Sequence, residues 1–356
     1  MDLARSSATE LVAALRSRRV SSVELLDAFV DRIDRLNPLV NAVVTLDVEC
    51  SRRRAGEADA AWAKGDWWGP MHGLPVSVKD ALDTAGLRTT GGSRDFADRV
   101  PERDAAAVAR LKQAGAVVFA KTNLPLWSGD NQTWNELFGA TSNPWDLTRA
   151  PGGSSGGAAV AVACGLSALD TGTDIGGSIR NPAHFTGVYG HKPSFGLVPG
   201  TGYFDRPDGG HIDVDLNVVG PLARSVDDLE LSLRELAGID TLGGRRANGG
   251  LPPPRQRSLE GYRLAVWIDD PMMRVDGEVK TVLRRAVDEL VAAGANVEEA
   301  CPAIDVEDAL RTYFFLLGAA LGSAVVDCLV AVRQYELATY GDKPQTDRIA
   351  LLAPRY

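Results

Sequence analysis

The sequence predicts an α/β protein, because short apolar runs of strand length alternate with segments of helical periodicity along the chain. "GLPVSVKD" (73–80) reads as a short strand ending at Lys79. A helix over roughly 103–113 leads into a second strand, "AGAVVFAKTN" (114–123). Further on, "RLAVWI" (263–268), a helix over about 277–293 and "ANVEEA" (295–300) make another β-α-β unit.

Ahead of the first strand, the opening forty residues read as two helices. Ser21 and Glu24 form a capping box, and Leu25, Leu26, Phe29, Val30 and Ile33 follow at helical spacing until Asn37-Pro38 ends the run. From about 139 to 220 the chain is dense in glycine and proline and encloses an apolar run, "AAVAVACGLSAL" (158–169). Loops that dense inside a core region usually serve a site. Residues 241–262 have the composition of a surface loop or linker. Residues 312–332, "TYFFLLGAALGSAVVDCLVAV", are long enough to cross a bilayer and place Gly318 and Gly322 in G-x-x-x-G spacing. Asp327 sits inside that run and no basic cluster flanks it, so the expectation is a buried helix and no membrane partner. The sequence closes on "DRIALLAPRY", read as lying within or just after a helix.

Composition narrows the function classes. With 356 residues and an apolar share of 45%, the chain can bury a sizeable core. A net charge of −9 argues against a nucleic-acid partner, which needs a basic footprint to displace counterions. Cys50, Cys164, Cys301 and Cys328 never approach C-x-x-C spacing, which points to reduced thiols, no metal site and a cytoplasmic home. The amino terminus mixes charges from Asp2 onward and builds no secretory signal.

Three features converge on nucleophilic catalysis. In "PGGSSGGAA" (151–159), four glycines around Ser154 and Ser155 let the backbone turn tightly. Alternatives are a flexible linker or a phosphate-cradling loop, though a P-loop would need a lysine that is absent here. In "TGTDIGGSIRNPAHF" (171–185), Ser178 follows Gly176 and Gly177 at the start of a short helix running from Ile179 to about Phe185. Unsatisfied amides at such a start can stabilise an oxyanion, although a serine merely capping the helix is an equally good reading of that segment alone. Arg180 replaces the second glycine of a G-x-S-x-G elbow, which disfavours an α/β-hydrolase. The third feature is Lys79, ordinarily a solvated strand end, but able to act as a base if held in a dry pocket.

Together these segments resemble the amidase signature hydrolases. The motifs that carry the resemblance are Lys79 after "GLPVSV", "PGGSSGG" at 151–157, and "GTDIGGSIRNPA" at 172–183, with Ser154 standing 24 positions before Ser178. It extends through "TNLP" (122–125), "SNPWD" (142–146), "GVYGHKPSFGLVP" (187–199) and "GPLARSVDD" (220–228), covering roughly residues 7–240. The resemblance implies a single domain over 1–356 with a catalytic core at about 65–240. It also implies the amidase-signature fold, a large mixed, mostly parallel β-sheet covered by helices on both faces. It makes Ser178 the nucleophile, Ser154 the bridging serine and Lys79 the base, with the N–H groups of Ile175, Gly176, Gly177 and Ser178 forming the oxyanion hole. A cis peptide before Ser154 is implied, and Asp174, Arg180 and Ser155 take supporting roles.

The expected partner is a small amide substrate, with no cofactor or metal, and a homodimer is the assembly held open. Two rival functions stand beside amide hydrolysis. One is the glutaminase subunit of a tRNA-dependent amidotransferase, against which the long segment 200–224 counts. The other is a catalytically silent homologue, because family members usually continue past the point where this sequence ends, so it reads as shortened at its C-terminus. His184 and His191 are expected to pack or hydrogen-bond outside the relay, and His72 and His211 show no ligand spacing. Trp127, Trp134 and Trp145 are candidates for either an acyl pocket or the core. The acidic face at Glu278, Asp288 and Glu289 reads as solvated surface.

Overall fold

The computed structural model of the protein describes residues 2–204, 215–238 and 251–321. These fall into a larger unit built mainly on residues up to Gly250 and a smaller one over Leu251–Ala319. The larger unit opens with α1 (Ala8–Arg16) and α2 (Ser22–Val40), each begun by a capping box, Ser7 with Glu10 and Ser21 with Glu24. Asn37-Pro38 does not end α2, contrary to the sequence expectation. Pro38 sits within the last turn, and Asn41 closes it in the left-handed conformation, donating to the Asn37 carbonyl at 2.7 Å. The Asn37 side chain accepts from the amides of Ala42 and Val43, so the chain after the helix is already paired.

There follow β1 (Val43–Leu46), α3 (Val48–Ala63), β2 (Pro75–Lys79), α4 (Ala106–Gln113) and β3 (Val117–Thr122). Next come the small hairpin β4 (Trp134–Asn135) and β5 (Gly139–Ala140), then α5 (Gly156–Ala163), β6 (Asp170–Asp174) and α6 (Arg180–Thr186). The unit is completed by β7 (Tyr189–Gly190), β8 (Val218–Ala223) and α7 (Val226–Leu236). Six strands form one sheet in the order β1-β3-β2-β6-β8-β7. The central pairs β3/β2 and β2/β6 are parallel and the flanking pairs antiparallel, so β3, β2, β6 and β7 share one direction and β1 and β8 oppose it.

Every residue of β2, β6 and β8 is buried, which requires cover on both faces of the sheet. α5 packs against β1, β2, β3, β6 and β8. It has no polar side to present to water, and Gly156 through Val162 are buried throughout. Phe29 of α2 stacks on Phe119 of β3 with ring centroids 6.2 Å apart, joining the helical layer to the sheet.

The smaller unit bears out the second β-α-β pattern. β9 (Arg263–Val266) and β10 (Asn296–Glu299) pair in parallel across α8 (Gly277–Ala292), and Glu278, Asp288 and Glu289 are exposed. α9 (Val306–Leu321) starts earlier than expected. Its described apolar residues are not buried as the sequence suggested, with Phe314 63% and Phe315 76% exposed, and residues 322–332 of the apolar run lie outside the described residues. Among the described residues no helix is long and apolar enough to cross a membrane.

Candidate active site

The sheet brings the two sequence motifs to one edge. Lys79 ends β2 and Asp174 ends its parallel neighbour β6, so the loop of residues 175–179 leaves the carboxyl end of the sheet, where open α/β sheets form their crevices. Ser154 and Ser155 lie just ahead of α5, against the same end. Lys79 is fully buried, and its Nζ donates to Ser154 Oγ at 2.6 Å and to Thr173 Oγ1 at 2.9 Å. The Ser155 amide donates to the Ser178 carbonyl at 3.1 Å, which ties the two serine segments together. The Gly153-Ser154 peptide is cis. Ser154 has no exposed surface whereas Ser178 retains 7%, so of the two serines only Ser178 is open to the surroundings.

The glycines after the serines have a steric reason. A Cβ on Gly157 would stand 2.3 Å from the Asn123 amide nitrogen, and one on Gly156 would stand 2.1 Å from Thr133 Oγ1. This buried, interlocked turn is not a flexible linker. Thr133 also donates to the Gly152 carbonyl at 2.9 Å, and Ser155 Oγ bridges to the Thr173 carbonyl at 3.2 Å, so both flanks of Ser154 are held.

Asp174 organises the serine loop. Its carboxylate accepts from the amides of Gly177 at 2.8 Å and Ile179 at 3.1 Å, and from Arg180 Nε at 3.0 Å and Nη2 at 2.9 Å. Burial pushes this carboxyl up, but the Arg180 guanidinium and the two amides outweigh burial and hold it below its ordinary value near 3.8. A depressed pKa contributes stability that is present above the unfolded-state value and is lost as pH falls through the folded one. Asp174→Asn is therefore expected to lower the unfolding free energy at pH 7 by about 2 kcal/mol, with the gap to wild type closing below about pH 4. Denaturant titrations across the acid range up to neutrality check both signs. Gly177, one of the expected oxyanion positions, spends its amide on Asp174.

Sequence reasoning missed Thr173, the second acceptor for Lys79; its only signal was a hydroxyl in the strand just ahead of Asp174. It also missed a buried polar group of Ser77, Thr122 and Asp170 behind Lys79. His72 is pinned on both ring nitrogens, by the Trp68 amide and the Ala58 carbonyl, and burial pushes its pKa down. His184 is exposed with its ring edge-on to Phe185, so the packed role expected for it is not what the fold provides. His191 is exposed as well, and His211 lies outside the described residues. Trp134 and Trp145 are 56% and 78% exposed, while Trp127 meets Phe96 and Phe204 edge-to-face at 5.7 and 5.3 Å. Among the described residues no cluster of histidine, cysteine and carboxylate side chains could hold a metal.

The site is thus a fully buried lysine donating to one serine, with a second, more open serine tied to the adjoining segment. The chain belongs to the Amidase family, whose model matches residues 24–347. One of the subunits of the glutamyl-tRNA(Gln) amidotransferase of Moorella thermoacetica is 38% identical over 346 residues, covering 96% of this chain and 68% of that protein. Among solved structures, fatty acid amide hydrolase superposes with a TM-score of 0.80 at 29% identity, over 89% of this chain and 56% of its own. A bacterial aryl acylamidase of the amidase signature family superposes with a TM-score of 0.78 at 27% identity, over 96% of this chain and 70% of its own. The chain thus spans between 56% and 70% of the length of these three proteins.

Proposed function

We propose that this protein hydrolyses a linear carboxylic amide through an acyl-enzyme on Ser178. The observation that carries the reading is the 2.6 Å contact between buried Lys79 Nζ and Ser154 Oγ, with Ser178 on the adjoining segment. In the reaction, neutral Lys79 takes the Ser154 proton while Ser154 takes that of Ser178, so Ser178 Oγ attacks the carbonyl carbon without a free alkoxide. The oxyanion is met chiefly by the amides of Gly176 and Ser178, beside Ile175, because Asp174 holds that of Gly177. Collapse breaks the C–N bond as the proton returns through Ser154 to the leaving nitrogen. Water then attacks the acyl-enzyme, giving its proton to the same relay, and the acid leaves.

Residues 130–132 lie against Gly153, where a Cβ would stand 2.7 Å from the Asn131 carbonyl carbon, and Trp127, just before them in the chain, meets Phe96 and Phe204 in an aromatic cluster. A second reading, as the glutaminase component of an amidotransferase, is favoured by the 38% identity to a subunit of such an enzyme across nearly the whole chain. Both readings place the reaction in acyl transfer and share the three side chains. Amides from short aliphatic to aryl, together with glutamine, assayed with and without amidotransferase partner subunits, separate them. Turnover of simple amides by the lone chain is expected; glutamine turnover that needs partners would move the assignment to the second reading, and no turnover of any amide would remove both.

A further inference from the structure

The polar group behind Lys79 is not used by the relay. Ser77 lies two residues back from Lys79 on β2 and pairs in register with Asp170 of β6, while Thr122 of β3 pairs in register with Lys79 itself. Asp170 Oδ2 accepts from Ser77 Oγ at 2.5 Å and from Thr122 Oγ1 at 3.1 Å, so one carboxylate oxygen joins three strands on the face that carries Lys79. Asp170 is fully buried, and its Oδ1 has no hydrogen-bond partner among the described residues. A carboxylate oxygen left in a dry sheet costs free energy that only a nearby positive charge or a proton can offset.

Resting on the reading of Lys79 as the base, we propose that Asp170 is a positioning residue for the relay: ionised, it holds Lys79 as the ammonium, and protonated, it releases Lys79 as the amine. Burial pushes the Asp170 carboxyl up to about 7 against the opposing hydrogen bonds from Ser77 and Thr122, so its charge changes near neutral pH. The other charges around this group have partners of their own, although Lys121 and Asp170 also act on each other. Lys121 of β3 acts on Asp170, but its ammonium is held by the Leu82 carbonyl, Thr84 and Thr89, and Asp80 and Asp83 bear on it. Asp80, just past the end of β2, is answered by Lys121, Thr90 and Arg88. Asp174, at the far end of β6, is paired with Arg180.

Diagonal neighbours on adjacent strands stand about 7–8 Å apart, where one unit charge moves a neighbour's protonation by about one and a half pH units at an effective dielectric near 20. The test is the rate of covalent labelling of the full chain by a fluorophosphonate probe, followed from mildly acid to alkaline pH. Its acid limb reports protonation of the relay, belonging to the coupled pair and not to one residue. Asp170→Asn keeps the size and one acceptor oxygen but removes the charge, so the limb is expected to move about one and a half units to lower pH. Ser77→Ala removes a hydrogen bond that favours the carboxylate and is expected to move it the same way by less. A folded Asp170→Asn variant with the limb unmoved or moved upward overturns the inference, since a merely structural residue would change melting and leave the limb in place. Should that variant not fold, an unmoved limb in Ser77→Ala overturns it equally. A wild type whose labelling is independent of Ser178 and Lys79 overturns the relay first, and the role of Asp170 with it.

Discussion

Ser178→Ala is expected to abolish fluorophosphonate labelling and to lower amide turnover by about 10⁶-fold, leaving only what binding and oriented amides contribute. The replacement should be nearly silent in stability. Ser178 is tied to the rest of the site through its carbonyl, which the Ser155 amide engages, and that backbone contact survives loss of the hydroxyl. A melting curve that matches wild type alongside the lost label assigns the defect to chemistry. Labelling retained at the wild-type rate in the variant would place the nucleophile elsewhere, and mapping the adduct by mass spectrometry would show which serine carries it.

Lys79→Ala is expected to lower acylation by about 10³-fold near neutral pH and to regain part of the loss as the medium is made alkaline, because hydroxide can replace a missing general base. The sign follows from the relay: the wild-type rate rises as Lys79 loses its proton, whereas the variant has no such group and climbs only with hydroxide. Removal of this side chain also deprives Ser154 Oγ and Thr173 Oγ1 of a donor inside a buried site, at a cost of about 1–3 kcal/mol. Lys79→Met, which keeps most of the volume, separates the two effects. It should match the alanine variant in rate and exceed it in melting temperature. Unchanged activity in either variant would take Lys79 out of the mechanism.

The candidate catalytic motifs were legible because each has a local signature. A lysine ends an apolar strand, and two serines sit among glycines that only close backbone approach explains. The β-α-β unit of the second half was equally local, since β9, α8 and β10 follow from periodicity over one short stretch of chain. Pro38 misled because proline is a strong stop signal in isolation, whereas here Asn37 and Asn41 supply the closing contacts one turn later. α9 misled in the other direction: its apolar composition foretold a helix but carries no information on what covers it, and Phe315 lies 76% exposed.

The residue types of the proposed reaction, the order of the helices and strands that bear them, and membership of the family are all written in the linear chain. Three contacts are not, and they came from folding in three dimensions: Thr173 shares Lys79 with Ser154, Asp174 takes the Gly177 amide, and Asp170, Ser77 and Thr122 meet behind Lys79. The first and third join residues on β2, β3 and β6, whose registers are set by long-range strand pairing, and no short window of sequence encodes which residue will stand opposite which. The second is local in sequence, yet which amide the carboxylate takes depends on the exact path of the loop once it is packed against the sheet.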